Sequence, residues 1–249
     1  MLPTFLGVGA SRSGTTSLYD MLSRHPRIFM AQPKEIHYFT FRHPALGSKN
    51  PLSPAQYEQL FAGSEAAQAR GEISPSYLWV PGAAQRIHQL LGSIPVVILL
   101  RNPVERAYSD FSLSQGAGLN QEGFDQLLIQ GEPLLRQNKL ILSPFHPSAI
   151  LWKGFFHQQV KQYLDLFGPE RVRVYLFDEM IGDFPGFRQD LFSFLEVDDQ
   201  PDAWLRQVNA SKKNAPISDE NRQRLQQFYR GDILKLGELL QRDLTSWLT

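Results

Sequence analysis

Along this chain, short apolar runs alternate with longer stretches in which apolar positions return every three or four residues. The runs near 4–9, 70–74, 95–100 and 171–177 read as strands. Within the third, Val96-Val97-Ile98-Leu99-Leu100 has no polar position, as a strand buried on both faces requires. The periodic stretches predict helices over about 15–24, 54–61 with Ser53 as cap, 80–91, 103–115, 122–137 and 152–167. The last of these carries Trp152, Phe156, Val160, Tyr163 and Phe167 at helical spacing and reads as a core helix. Two Pro-containing stretches, 40–53 and 138–150, read as surface loops of the length that lids and acceptor-site walls have. Strands alternating with helices predict an α/β fold with three layers: a central, mainly parallel sheet flanked by helices.

Length and composition narrow the picture. A chain of 249 residues is long enough for one domain with a large core, expected here to span 1–249. Lys and Arg number 25 and Asp and Glu 25, so bulk charge calls for neither nucleic acid nor an anionic membrane, and any anion site has to be local. The absence of cysteine removes disulfides, thiolate catalysis and Cys-based zinc sites, and the six histidines lack helical metal-site spacing, so no metal is expected. No run approaches the roughly 20 apolar residues of a membrane span, nor is there a basic leader with an apolar segment behind it. A cytoplasmic enzyme, or a piece of a larger protein, is the expectation.

The most informative segment is Gly7-Val8-Gly9-Ala10-Ser11-Arg12-Ser13-Gly14-Thr15-Thr16-Ser17, set where the first strand gives way to a helix. Backbone amides in such a turn converge on one point, and the helix dipole adds partial positive charge there, which suits a phosphate or sulfate. Gly9 and Gly14 reproduce the glycine spacing of nucleoside triphosphate loops, but Thr15 stands where those carry lysine. That exchange argues against a kinase or triphosphatase. Arg12 is the cation the loop itself offers to a bound anion.

About ninety residues later, Arg101-Asn102-Pro103 follows the apolar strand, with Ser109 eight residues beyond Arg101. A strand end followed by a Pro-started helix puts Arg101 at the carboxyl edge of the sheet, where open α/β folds bind ligands. Between these segments lies Pro33-Lys34-Glu35-Ile36-His37-Tyr38-Phe39. In an extended segment Glu35 and His37 would point to one side, placing a base and its neighbour at one cleft. Gly71-Glu72-Ile73-Ser74-Pro75-Ser76-Tyr77 adds a further carboxylate.

Together these segments resemble the sulfotransferases that use 3′-phosphoadenosine 5′-phosphosulfate (PAPS), a P-loop-type fold, and in motifs the bacterial and heparan-sulfate-type glycan enzymes above all. The resemblance implies that Ser11, Arg12, Ser13, Gly14, Thr15, Thr16 and Ser17 hold the 5′-phosphosulfate, with Arg12 at the family's lysine position and taking part in catalysis. It implies that Arg101 and Ser109 grip the 3′-phosphate and that Lys212 and Lys213 belong to a late basic loop closing over it. Glu35 takes the place of the general base with His37 assisting, while His37 alone, Glu72, His146 and His157 stay open as alternatives. One departure stands out: the family's Glu-Lys-Thr-Pro-x-Tyr pattern has Ile73 here where the lysine should be. The activity implied is in-line transfer of a sulfuryl group from PAPS, leaving 3′-phosphoadenosine 5′-phosphate (PAP). The acceptor would be a hydroxyl or amine of a small molecule, lipid, polyketide or glycan. A P-loop small-molecule kinase and a non-catalytic nucleotide-binding module are the competing readings.

Overall fold

The structure, a computed structural model, describes residues 1–40, 51–205 and 216–249. Two compact units emerge, one made of Met1–Leu100 and Gln162–Asn209, the other of Arg101–Lys161 and Ala210–Thr249.

The first unit holds the sheet. Its strands are β1 (Phe5–Gly9), β2 (Ile28–Met30), β3 (Ala69–Ile73), β4 (Val96–Leu100) and β5 (Val172–Leu176). They lie in the order β2-β3-β1-β4-β5, and all four pairings are parallel. Its helices are α1 (Thr15–Ser23), α2 (Pro54–Gln59), α3 (Ser76–Trp79), α4 (Ala83–Leu91), α9 (Phe177–Gly182) and α10 (Phe184–Phe194). The second unit is helical: α5 (Pro103–Gly116), α6 (Phe124–Arg136), α7 (Pro147–Trp152) and α11 (Asp219–Leu240). Residues of α8 (Phe156–Phe167) fall in both. Among the described residues no helix is long and apolar enough to cross a membrane.

Strand periodicity explains the core of the sheet unit. Alternate side chains leave opposite faces, so Phe5, Ile73, Val97 and Leu99 gather on one face with Leu18, Met21 and Leu22 of α1 and Leu191 and Phe192 of α10. β4 is buried at all five positions, as its unbroken apolar run requires. β1 lies between β3 and β4, and the chain leaves it towards one edge before crossing back to β4. Such a reversal opens a crevice outside the carboxyl end of the central strand, which is where the Gly9–Gly14 loop emerges.

Local signals fix several helix starts. Ser53 accepts from the Gln56 amide while Gln56 Oε1 accepts from the Ser53 amide, a reciprocal cap for α2. Asn102 caps α5, with Pro103 at its first position.

Elsewhere the sequence reading needs correction. The stretch 138–150 is not all loop, because His146 caps α7 by accepting the Ser148 amide and Pro147 starts the helix. The expected helix over 152–167 is broken, with α7 ending at Trp152 and α8 beginning at Phe156. Asp232, on α11, accepts the freed amides of Phe156 at 2.7 Å and His157 at 3.2 Å. At the break a Cβ on Gly154 would meet Tyr229 Cζ at 2.8 Å, so only glycine permits this approach. The expected helix over 80–91 begins at Ala83, and Ser76–Trp79 forms a separate turn.

Candidate active site

The glycine loop is built where expected. β1 ends at Gly9, and α1 begins at Thr15 with Gly14 as its N-cap in the left-handed region at φ 89°. No side chain caps α1, and its first turn carries no acidic residue, so the amides there keep their positive potential for a ligand. The neighbouring Arg12 also sits in the left-handed region, at φ 67°. Ser13 is fully buried, and its Oγ has no hydrogen-bond partner among the described residues. A buried hydroxyl without a partner is costly, and an anion seated on the loop would supply the missing acceptor. Thr15 is buried, while Thr16 and Ser17 are half-buried. The loop therefore fits a phosphosulfate group.

Glu35 and His37 are brought together, though not as an extended segment would do it. Both backbones are left-handed, φ 66° at Glu35 and 57° at His37, in a stretch without strand structure. Such conformations cost about 1–3 kcal/mol each outside glycine, so neighbours have to hold them. The Glu35 amide donates to the Ile73 carbonyl at 3.1 Å, and the His37 amide donates to Ser74 Oγ at 3.0 Å. Below them Tyr38 stacks on Tyr57 with ring centres 4.1 Å apart, and Phe39 meets Tyr77 edge-on. The two kinks bring Glu35 Oε2 to 3.5 Å from His37 Nε2. Lys34 Nζ holds the other oxygen, Oε1, at 2.5 Å. Partial burial works against ionisation of Glu35, but the bond to His37 and the charge of Lys34 prevail and push its pKa down to about 2.

Glu72 is placed differently. It is completely buried, and Tyr57 and Tyr77 donate to its Oε1 at 2.9 and 2.7 Å while Ser74 donates to Oε2 at 2.7 Å. Burial raises its pKa despite these three donors. Its oxygens are committed to neighbours, and its link to His37 runs through Ser74. Ile73, at the motif's lysine position, points to the opposite face and packs against Gly7, where an added Cβ would lie 2.7 Å from Ile73 Cγ1.

The remaining positions fall elsewhere. Arg101 and Ser109 belong to the helical unit, Arg101 half-buried just before the α5 cap and Ser109 buried two turns along that helix. Lys212 and Lys213 lie outside the described residues. His146 is a helix cap, as described, and burial lowers its pKa. The amide of His157 is bound by Asp232. Sequence reasoning passed over Thr40, whose hydroxyl lies 3.1 Å from that of Ser76, itself 2.6 Å from His37 Nδ1. A threonine three residues after the histidine carried no signal of its own.

Known proteins place the chain in context. A family model described as "Sulfotransferase domain" matches residues 2–231. The crystal structure of a sulfotransferase from Alicyclobacillus acidocaldarius superposes with a TM-score of 0.85 at 30% identity, covering 100% of both chains. Membrane-associated sulfotransferase kil1 of Dictyostelium discoideum is 33% identical over 114 residues, 45% of this chain and 23% of that protein. Heparan sulfate glucosamine 3-O-sulfotransferase 5 of Mus musculus is 30% identical over 112 residues, 45% of this chain and 30% of that protein. Both alignments thus span less than a third of the curated relative.

Proposed function

The chain belongs to the sulfotransferase family, and from that membership we propose that it moves a sulfuryl group from PAPS to a hydroxyl or amine acceptor. The observation that carries this reading is the loop after β1, where an uncapped helix start, a buried unpartnered Ser13 hydroxyl and Arg12 lie together. In this role Ser11 to Ser17 hold the 5′ end of the donor, Arg101 and Ser109 its 3′-phosphate, and Lys212 and Lys213 add charge to that second grip. PAPS supplies a sulfuryl group already activated by its phosphate leaving group. Arg12 and the loop amides neutralise the negative charge that grows on the leaving oxygen, a contribution typically worth about 3–4 kcal/mol per well-placed donor.

For the acceptor's proton, His37 is the better recipient and Glu35 its support. The Glu35 carboxylate is pinned by Lys34 on one oxygen and by His37 on the other, and a carboxyl held near a pKa of about 2 is a poor proton sink. It is well suited to balancing the charge of a protonated imidazole beside it. Lys34 completes the group as a cation next to the site, although position 73 supplies none. The acceptor is a hydroxyl or amine of a small molecule, lipid, polyketide or carbohydrate, and the site is that of a cytoplasmic-type enzyme working without metal.

The test is transfer of radiolabel to a panel of phenols, sterols, amines and desulfated glycans. Label from PAPS should reach at least one acceptor, and the terminal phosphate of ATP none. Transfer from ATP would favour a kinase; PAP binding with no transfer to any acceptor would favour a non-catalytic module.

A further inference from the structure

Three bonds tie the segment from Ala31 to His37 to β3 and the turn behind it. The Ala31 amide donates to the Gly71 carbonyl at 2.9 Å, the Glu35 amide to the Ile73 carbonyl at 3.1 Å, and the His37 amide to Ser74 Oγ at 3.0 Å. The last of the three ends on a side chain. Where the chain turns into α3, the Ser74 carbonyl receives the Tyr77 amide at 3.0 Å, and the hydroxyl takes over as the anchor point.

Ser74 is itself firmly held. It is fully buried, its amide donates to the Gly7 carbonyl of β1 at 3.0 Å, and its hydroxyl donates to Glu72 Oε2 at 2.7 Å. A hydroxyl oxygen accepts twice and donates once, so its hold on the His37 amide is the same whether or not Glu72 carries a proton. Two residues beyond Gly7, β1 gives way to the anion loop at Gly9, where an added Cβ would lie 2.6 Å from Leu78 Cβ of α3. One residue therefore joins the strand that presents the donor loop to the backbone that presents the imidazole. The hold matters because His37 is left-handed at φ 57°, a conformation that costs about 1–3 kcal/mol outside glycine. Its carbonyl turns back on its own segment, receiving the Thr40 amide at 2.9 Å and the Thr40 hydroxyl at 3.0 Å. Ser76 Oγ, 2.6 Å from Nδ1, and Glu35 Oε2, 3.5 Å from Nε2, meet the ring and not the backbone.

We infer that Ser74 is a positioning residue of the transfer reaction: through its hydroxyl this buried serine fixes where His37 stands relative to the anion loop. The inference rests on the reading of His37 as proton acceptor. Being buried, Ser74 acts on the rate through His37 and not through either substrate.

Steady-state transfer by Ser74→Ala, His37→Ala and the double variant tests it, at a temperature where thermal melts show each variant folded. Alanine keeps the amide on Gly7 and removes the hydroxyl. The kcat on the best acceptor of the panel should therefore fall about 10–100-fold, the scale on which a misplaced reacting group loses rate, with KM for PAPS and the PAP thermal shift unchanged. In the His37→Ala background the same substitution should cost no more than about twofold, because a residue acting through His37 has nothing left to place. Ser74→Thr keeps the hydroxyl and is the residue of the Glu-Lys-Thr-Pro-x-Tyr pattern, so it should restore the rate. Ser74→Cys fills the space with a poor acceptor and should not. Equal losses in the two backgrounds, or wild-type kcat in Ser74→Ala beside a crippled His37→Ala, overturn the role of Ser74 and leave that of His37 intact. Full transfer by His37→Ala overturns the reading of His37 and the positioning role with it.

Discussion

Replacing His37 with alanine should lower sulfuryl transfer by about 10²–10⁴-fold, the range a positioned general base contributes, while PAP still raises the melting temperature as it does for wild type. The separation follows from where the groups sit. His37 is fastened to the end of β3 and to α3 through Ser74 and Ser76, whereas the anion loop hangs from β1 and α1. Glu35→Gln should cost less than His37→Ala, because it removes the countercharge at Nε2 and not the proton acceptor. If instead Glu35→Gln alone abolishes transfer and His37→Ala is nearly silent, the carboxylate is the base and the order of the pair is reversed. Steady-state rates with labelled PAPS, alongside PAP thermal shifts of each variant, separate these outcomes.

The largest effect on stability should come from Asp110→Ala in the helical unit. Asp110 Oδ2 lies 3.1 Å from Arg106 Nη1 and 2.9 Å from Lys153 Nζ, and all three side chains are buried. Arg106 also donates to the Ile150 carbonyl and Lys153 to the Pro144 carbonyl, so the cluster ties α5 to α7 and to the segment before it. Burial disfavours the carboxylate, yet the two cations overcome it and hold Asp110 below its ordinary pKa of 3.8. Deleting the shared anion leaves two buried positive charges without their counterion. Breaking a buried ion pair in this way costs about 3–5 kcal/mol, which for a chain of this size lowers the melting temperature by about 6–20 °C. Since the native pKa is depressed, the stability Asp110 confers is complete above its ordinary value and is lost as pH falls through the lowered one. Thermal melts should therefore show wild type losing its margin over Asp110→Ala in acid. A variant that melts within about 2 °C of wild type at neutral pH would contradict this account of the cluster.

How much of this was legible beforehand depends on the range of the forces involved. β1 and β4 announced themselves because strands buried on both faces are apolar throughout, while β3 and β5 keep short apolar runs despite Arg70, Glu72 and Arg173 within them. β2, only Ile28–Met30, was too short for any period to register. The break between α7 and α8 was hidden for another reason. The aromatic spacing runs through it, while its causes, Asp232 capping from α11 and Tyr229 filling the space beside Gly154, lie about 75 residues away in sequence. In the site, glycine spacing and the missing lysine at Thr15 were local facts and could be read directly. The approach of Glu35 to His37 was anticipated for the wrong geometric reason, since left-handed kinks rather than strand alternation produce it. The sealing of Glu72 by Tyr57, Tyr77 and Ser74, and the contacts of Ser76 with Thr40 and His37, exist only once α2 and the 31–40 segment have folded against β3 and α3.

The central claim is that this chain recognises an adenine nucleotide carrying separate 5′ and 3′ anionic groups, and a thermal-shift comparison of PAP with ATP and AMP tests it most directly. At a hundredfold excess over its dissociation constant PAP should stabilise the fold by about 2.7 kcal/mol, raising the melting temperature by about 5–10 °C, with Arg12→Ala and Arg101→Ala each losing most of that rise. ATP or AMP matching PAP, or a PAP shift unchanged by both substitutions, would contradict it.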